Sequence, residues 1–226
     1  MRLLLIRHGQ TPSNVAGELD TGIPGARLTP LGEAQARAVP AALVEDRVSG
    51  IYASNRVRTQ LTAAPLAQTR RLDVRVVQGL EEVSAGRLEM RSDTDAVEAY
   101  AGALGHWMHG DLDHRLPGGS SGQEFLERYD RAVQAIATAH GRDDTVAVFS
   151  HGAAIRAYVA IRAGLDPDVA TELRIMNTGM GVLEGHPGEG WRLAHWSTEP
   201  LGGLELEDVT AHDVTGESAE EVALEG

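Results

Sequence analysis

The chain has 226 residues, 42% of them hydrophobic, enough to bury the core of one large domain. It contains no cysteine, which excludes disulfides, thiolate catalysis and sulfur-ligated zinc or iron. A formal net charge of −13 and a sequence pI of about 5.1 argue against nucleic acid and anionic membranes as partners.

All the basic charge is arginine, so wherever these side chains converge they present planar, permanent cations suited to phosphate or carboxylate. The amino-terminal apolar stretch is interrupted at Arg7, too early for a signal-peptide core, and no later segment has membrane-spanning length. A cytoplasmic protein is expected.

In chain order, Leu3 to Ile6 is an unbroken apolar run too short for a helix, which predicts a central strand buried on both faces. It ends on Arg7-His8-Gly9, where a ligand would sit in an open parallel sheet. Thr29-Pro30 reads as the N-cap and first turn of a helix, which Pro40 should kink or end. A second strand over Gly50–Ala53 leads into a helix from about Arg56 to Gln68, with Arg58 in its anion-favouring first turn. A third strand, Val74–Val77, precedes the acidic stretch containing Glu81, Glu82 and Glu89.

Asp111 to Gly122 has loop composition, and Glu124 to His140 has the spacing of an amphipathic helix. Thr145–Ser150 is a strand that runs into His151-Gly152 and another helix, repeating the logic of the amino terminus. Met180–Leu183 is a further strand. This alternation predicts an α/β fold: a three-layer α/β/α sandwich around a mostly parallel sheet, with the active site at the C-terminal ends of the strands. Residues 1–198 form the expected catalytic domain. From Glu199 on, acids accumulate without an arginine, and 199–226 reads as a solvated, flexible tail remote from the chemistry.

Taken together, Arg7-His8-Gly9 with Gln10, Thr11 and Asn14, then Leu28-Thr29-Pro30-Leu31-Gly32 with Gln35-Ala36, Arg58, Glu82 and Ser150-His151-Gly152 resemble the histidine phosphatase superfamily, the phosphoglycerate-mutase-like enzymes, over roughly residues 1–196. The resemblance implies that His8 is the nucleophile, that Arg7, Arg58 and His151 hold the phosphoryl oxygens, and that Glu82 is the proton donor. Gln10, Thr11, Asn14 and Gly152 are the further substrate-binding residues it implies. Glu81 and Glu89 are left as solvated carboxylates, and Arg56, Arg87 and Arg91 as candidates for the rim. Fixed cations suit phosphoryl transfer, where charge spreads over the equatorial oxygens.

This sequence departs from the family at Asn55, often proline, at Ala153, frequently glycine, and at Ser120, where Gly-Glu-Ser is common. His106, His109, Asp111, Asp113 and His114 could suggest a metal site, but they show no disciplined ligand spacing; the stretch is expected on loops above the pocket. The implied function is a phosphatase acting on a small phosphorylated substrate through phosphohistidine, with no metal or cofactor. The alternatives are a mutase-type phosphotransferase and a non-catalytic phospho-ligand binding module. A homodimer is left open.

Overall fold

The computed structural model describes residues 1–208, 211 and 214–216. Strand β1 (Arg2–Arg7) lies inside a sheet that also contains β2 (Val48–Ala53), β3 (Val74–Val76), β4 (Thr145–Ser150), β5 (Met180–His186) and β6 (Gly190–Ser197). The strand order is β3-β2-β4-β1-β5-β6, with the first four parallel and β5 and β6 antiparallel to their neighbours. The mostly parallel sheet predicted from the sequence is therefore present.

Successive residues of a strand point to opposite faces, so the apolar run of β1 feeds two cores. Leu3 and Leu5 join Val146, Val148 and Tyr52 on one face, beneath α4 (Thr94–Met108), α5 (Gly122–Thr138) and α6 (Gly152–Arg162). Leu4 and Ile6 join Ala147, Phe149 and Ile51 on the other, beneath α2 (Pro30–Ala42) and α3 (Val57–Arg70). Two short helices, α1 (Pro12–Val15) and α7 (Pro167–Thr171), complete the α-helices of the described residues, beside 3-10 turns at Gly86–Leu88 and Leu204–Leu206.

The chain leaves β1 toward α2 on one face and β4 toward α6 on the other. Adjacent parallel strands whose connections diverge in this way leave a crevice beyond their carboxyl ends, the place where α/β sheets hold ligands. Arg7 pairs with Ser150, so His8 and His151 leave the sheet next to one another.

Three elements differ from the sequence reading. Helix α4 was not foreseen, although Asp93 caps it by accepting from Ala96 N, and Ala96, Tyr100, Ala103, Leu104 and Trp107 form its buried stripe. His106 to Met108 therefore belong to a helix end. Strand β6 pairs with β5 across a turn at Pro187 to Glu189. Helix α2 runs two residues past Pro40, which stands in its last turn and is followed by the end of the helix at Ala42.

The reading of 199–226 as solvated also meets a contrary finding. Leu201 packs in the α2/α3 core, Val214 packs in the other, and the Leu206 carbonyl accepts from Gln35. The rest of that stretch, residues 209–210, 212–213 and 217–226, lies outside the described residues.

Candidate active site

Two glycines let the backbone fold tightly at the end of β1. A Cβ on Gly9 would lie 2.6 Å from the Gly32 carbonyl oxygen, and one on Gly32 would lie 2.1 Å from the Gln10 carbonyl oxygen. The start of α2 is thus pressed against the turn that carries His8. Gly9 N–H donates to the Thr62 hydroxyl of α3, fixing the turn from the other side.

His8 is 3% exposed, and its Nδ1 lies 2.8 Å from the Gly9 carbonyl oxygen. A carbonyl can only accept, so Nδ1 carries the proton and Nε2 presents a lone pair. Burial pushes the His8 pKa well below the usual 6.5, and the Arg58 and then the Arg7 guanidinium add to the effect. The ring is neutral over the physiological range.

His151 stands at the N-cap position of α6, fully buried, with its ring centroid 5.3 Å from that of His8. Its Nε2 lies 2.8 Å from Ser54 Oγ, while Nδ1 has no hydrogen-bond partner among the described residues. Burial, followed by the Arg58 charge and His8, also holds its pKa well below 6.5.

Both arginines are anchored by groups distant in sequence. Arg7 donates from Nη1 to the Ile175 carbonyl and from Nη2 to the Thr215 hydroxyl, at 2.8 and 2.9 Å. Arg58, in the first turn of α3, donates to the Asp20 carbonyl at 2.7 Å and to its carboxylate at 3.4 Å. A Cβ on Gly152 would lie 2.4 Å from the Thr215 carbonyl oxygen, so Gly152 is the residue that lets the 214–216 segment approach Arg7.

Glu82 is 3% exposed and sits against the start of α6. Its carboxylate accepts from Val83 N and Ala154 N at 2.8 Å and from Ala153 N at 3.2 Å. Burial raises its pKa; those N–H groups, with Arg7 and Arg58 behind them, offset part of the rise. Arg128 of α5 fixes the segment by donating to the carbonyls of Gly79, Glu81 and Glu82.

His8, Thr11, Asn14, Arg58 and Glu82 line one small cavity, together with Ser13, Glu18, Asp20 and Thr215. Arg7 and His151 are seated against His8. Not every sequence-predicted residue reaches this cup. The Gln10 side chain turns away, accepting from the Thr29 hydroxyl and donating to Asp208, and lines a separate small cavity. Asn14 Oδ1 closes the capping box of α1 and also accepts from Asn177.

The expected solvated carboxylates are structural. Glu81 pairs with Arg128 and accepts from Gly79 N, and Glu89 ties down Thr21 and Gly22. Arg56 is engaged by the Thr21 carbonyl and Asn55, Arg91 by Asp93, and Arg87 is exposed. None of these three arginines lines the cup.

His106, Asp111 and His114 do come together at the surface, with ligand atoms within 4.8 Å of one another. The two rings are stacked at 4.0 Å and 5°. Their in-plane lone pairs then lie in two separate, nearly parallel planes, so in this arrangement both cannot point at one ion about 2 Å from each. None of the three lines the cup.

Ser13, Glu18, Asp20, Arg128 and Thr215 were not singled out as site residues from the sequence. A polar residue in a loop leaves no periodic signal, although Asp20 could have been suspected as the counter-ion a buried Arg58 requires.

Two neighbouring imidazoles at the switch point of a mostly parallel sheet, with two buried arginines and a buried glutamate beside them, give this α/β fold a site suited to an anion. Residues 3–199 match the histidine phosphatase superfamily, branch 1, and the chain belongs to that family. It is 33% identical over 224 residues to the PE-PGRS family protein PE_PGRS11 of Mycobacterium tuberculosis, covering 92% of this chain and 38% of that protein. It is 28% identical to the probable phosphoglycerate mutase GpmB of Shigella boydii, covering 94% of this chain and 98% of the relative. Among solved structures, a mycobacterial glucosyl-3-phosphoglycerate phosphatase in complex with VO3 superposes with a TM-score of 0.74 at 28% identity, covering 88% of this chain and 99% of that one. No helix among the described residues is long and apolar enough to cross a membrane.

Proposed function

We propose that the protein hydrolyses phosphate monoesters of small metabolites through a phosphohistidine on His8. The observation that carries this reading is the tautomer fixed by Gly9: it leaves Nε2 unprotonated on a histidine that lines a cup together with Arg58 and Glu82. Arg7, Arg58 and His151 Nδ1 supply the positive charge and hydrogen bonds for the phosphoryl oxygens. His8 Nε2 attacks phosphorus, and the bond to the ester oxygen breaks.

Glu82, its pKa raised by burial, gives its proton to the departing alkoxide. As a carboxylate it then takes a proton from water, whose oxygen attacks phosphorus and releases phosphate and free Nε2. The guanidiniums provide the charge stabilisation a metal would otherwise supply.

The test is p-nitrophenyl phosphate turnover in the presence of a chelator. Activity that survives EDTA and disappears in His8→Ala supports the proposal, while binding of phosphate without turnover assigns the chain to a binding role instead. Likeness to the GpmB mutase gives a second reading, in which phosphohistidine meets a hydroxyl rather than water. Product analysis with 3-phosphoglycerate distinguishes isomerisation from release of phosphate.

A further inference from the structure

Resting on the phosphatase reading, we propose that Glu18 makes the cup selective for phosphate esters of neutral, hydroxylated alcohols and against esters whose alcohol bears a carboxylate close to the phosphate. Glu18 lines the same cavity as His8, Arg58 and Glu82, and its position is fixed by backbone bonds: its N–H donates to the Ser13 carbonyl, and its own carbonyl accepts from Asp20 N. It is half-buried, and its carboxylate has no ion-pair partner among the described residues.

The cationic charge in the cup is committed to the phosphoryl group: Arg58 is held in place by Asp20, and Arg7 by Ile175 and Thr215. The arginines that could have met a second anion at the rim, Arg56, Arg87 and Arg91, do not line the cavity. A leaving group therefore meets Ser13, a hydroxyl, and Glu18, an acceptor carrying negative charge. A polyol can donate hydrogen bonds to both. A glycerate carboxylate in the same place would face a like charge with no further cation among the described residues that line the cavity. The overall charge of −13 adds to the repulsion of polyanionic esters.

Glycerol 3-phosphate and 3-phosphoglycerate differ only in a hydroxymethyl against a carboxylate, so the ratio of their kcat/KM values cancels effects common to the phosphoryl group. The wild type is expected to favour glycerol 3-phosphate by at least about tenfold, Glu18→Gln to shrink that ratio by about tenfold, and Glu18→Arg to shrink it further or reverse it. A wild type that prefers 3-phosphoglycerate, or a ratio unmoved in Glu18→Gln, overturns the inference while p-nitrophenyl phosphate turnover by the same preparation leaves the phosphatase reading standing. Absence of that turnover in the wild type overturns both.

Discussion

Ser54 Oγ lies 2.8 Å from His151 Nε2, so the hydroxyl at the end of β2 occupies one ring nitrogen and leaves the other for a ligand. A phosphate oxygen only accepts, so a useful His151 must carry its proton on Nδ1, which requires Ser54 to donate to Nε2. Ser54→Ala removes that control over the tautomer. Its kcat/KM for p-nitrophenyl phosphate should fall about ten- to a hundredfold, with an unchanged circular dichroism spectrum. Full activity would show that the ring orients itself without the serine.

The pH profile should be widened at both limbs, the acid limb moved to lower pH and the alkaline limb to higher pH. His8 must be neutral to attack, and its depressed pKa keeps it neutral below 6.5, so the acid limb falls below the ordinary histidine range. Glu82 must be protonated to donate, and its raised pKa keeps a protonated fraction above 4.5, so activity declines as pH rises through that raised value. Nitrophenolate needs little protonation. Glu82→Gln should therefore slow an alkyl phosphate more than p-nitrophenyl phosphate and flatten the alkaline limb for the alkyl ester. Equal slowing for both esters would remove Glu82 from the acid role.

Two glycines should respond in opposite directions to alanine. At Gly152 the new Cβ would meet the Thr215 backbone at 2.4 Å, whereas at Gly102, on the exposed side of α4, nothing lies within 4 Å. Gly152→Ala should lose most activity as the 214–216 segment is displaced. Gly102→Ala should raise stability by about 0.5–1 kcal/mol through helix propensity. Activity assays and urea unfolding measure both.

Thr215 contacts Arg7 through its hydroxyl, so the shape-conserving change to valine tests the hydrogen bond itself. Thr215→Val should raise KM and lower kcat/KM by about tenfold, in keeping with loss of a hydrogen bond to a charged group. Thr215→Ser, which retains the hydroxyl, should recover most of the loss. A valine variant with wild-type kinetics would reduce the contact to packing.

The parts of the site built on regular elements were legible from sequence alone. Leu3–Ile6 and Val146–Ser150 announce themselves as buried strands, so the residues that follow them could be placed at one sheet edge before any coordinates. Arg58 was legible for a similar reason: it falls within the first turn after a strand. Gln10 shows where such reasoning stops. It is two residues from His8, yet the turn at Gly9 sends its side chain to Thr29 and Asp208. Glu18, Asp20 and Thr215 acquire meaning only when loops close over the sheet, which no local pattern encodes. The hidden edge strand β6 lacks the unbroken apolar run that marked β1, because one of its faces is wet.

Arg7 and Thr215 are 208 positions apart, and this separation bears on how the protein is made. During synthesis β1 can find β4 once residue 150 has left the ribosome, and the two histidines then become neighbours. The hydroxyl that steadies the arginine emerges some sixty-five residues later. For that interval the two histidines face an arginine whose Thr215 anchor has yet to be made.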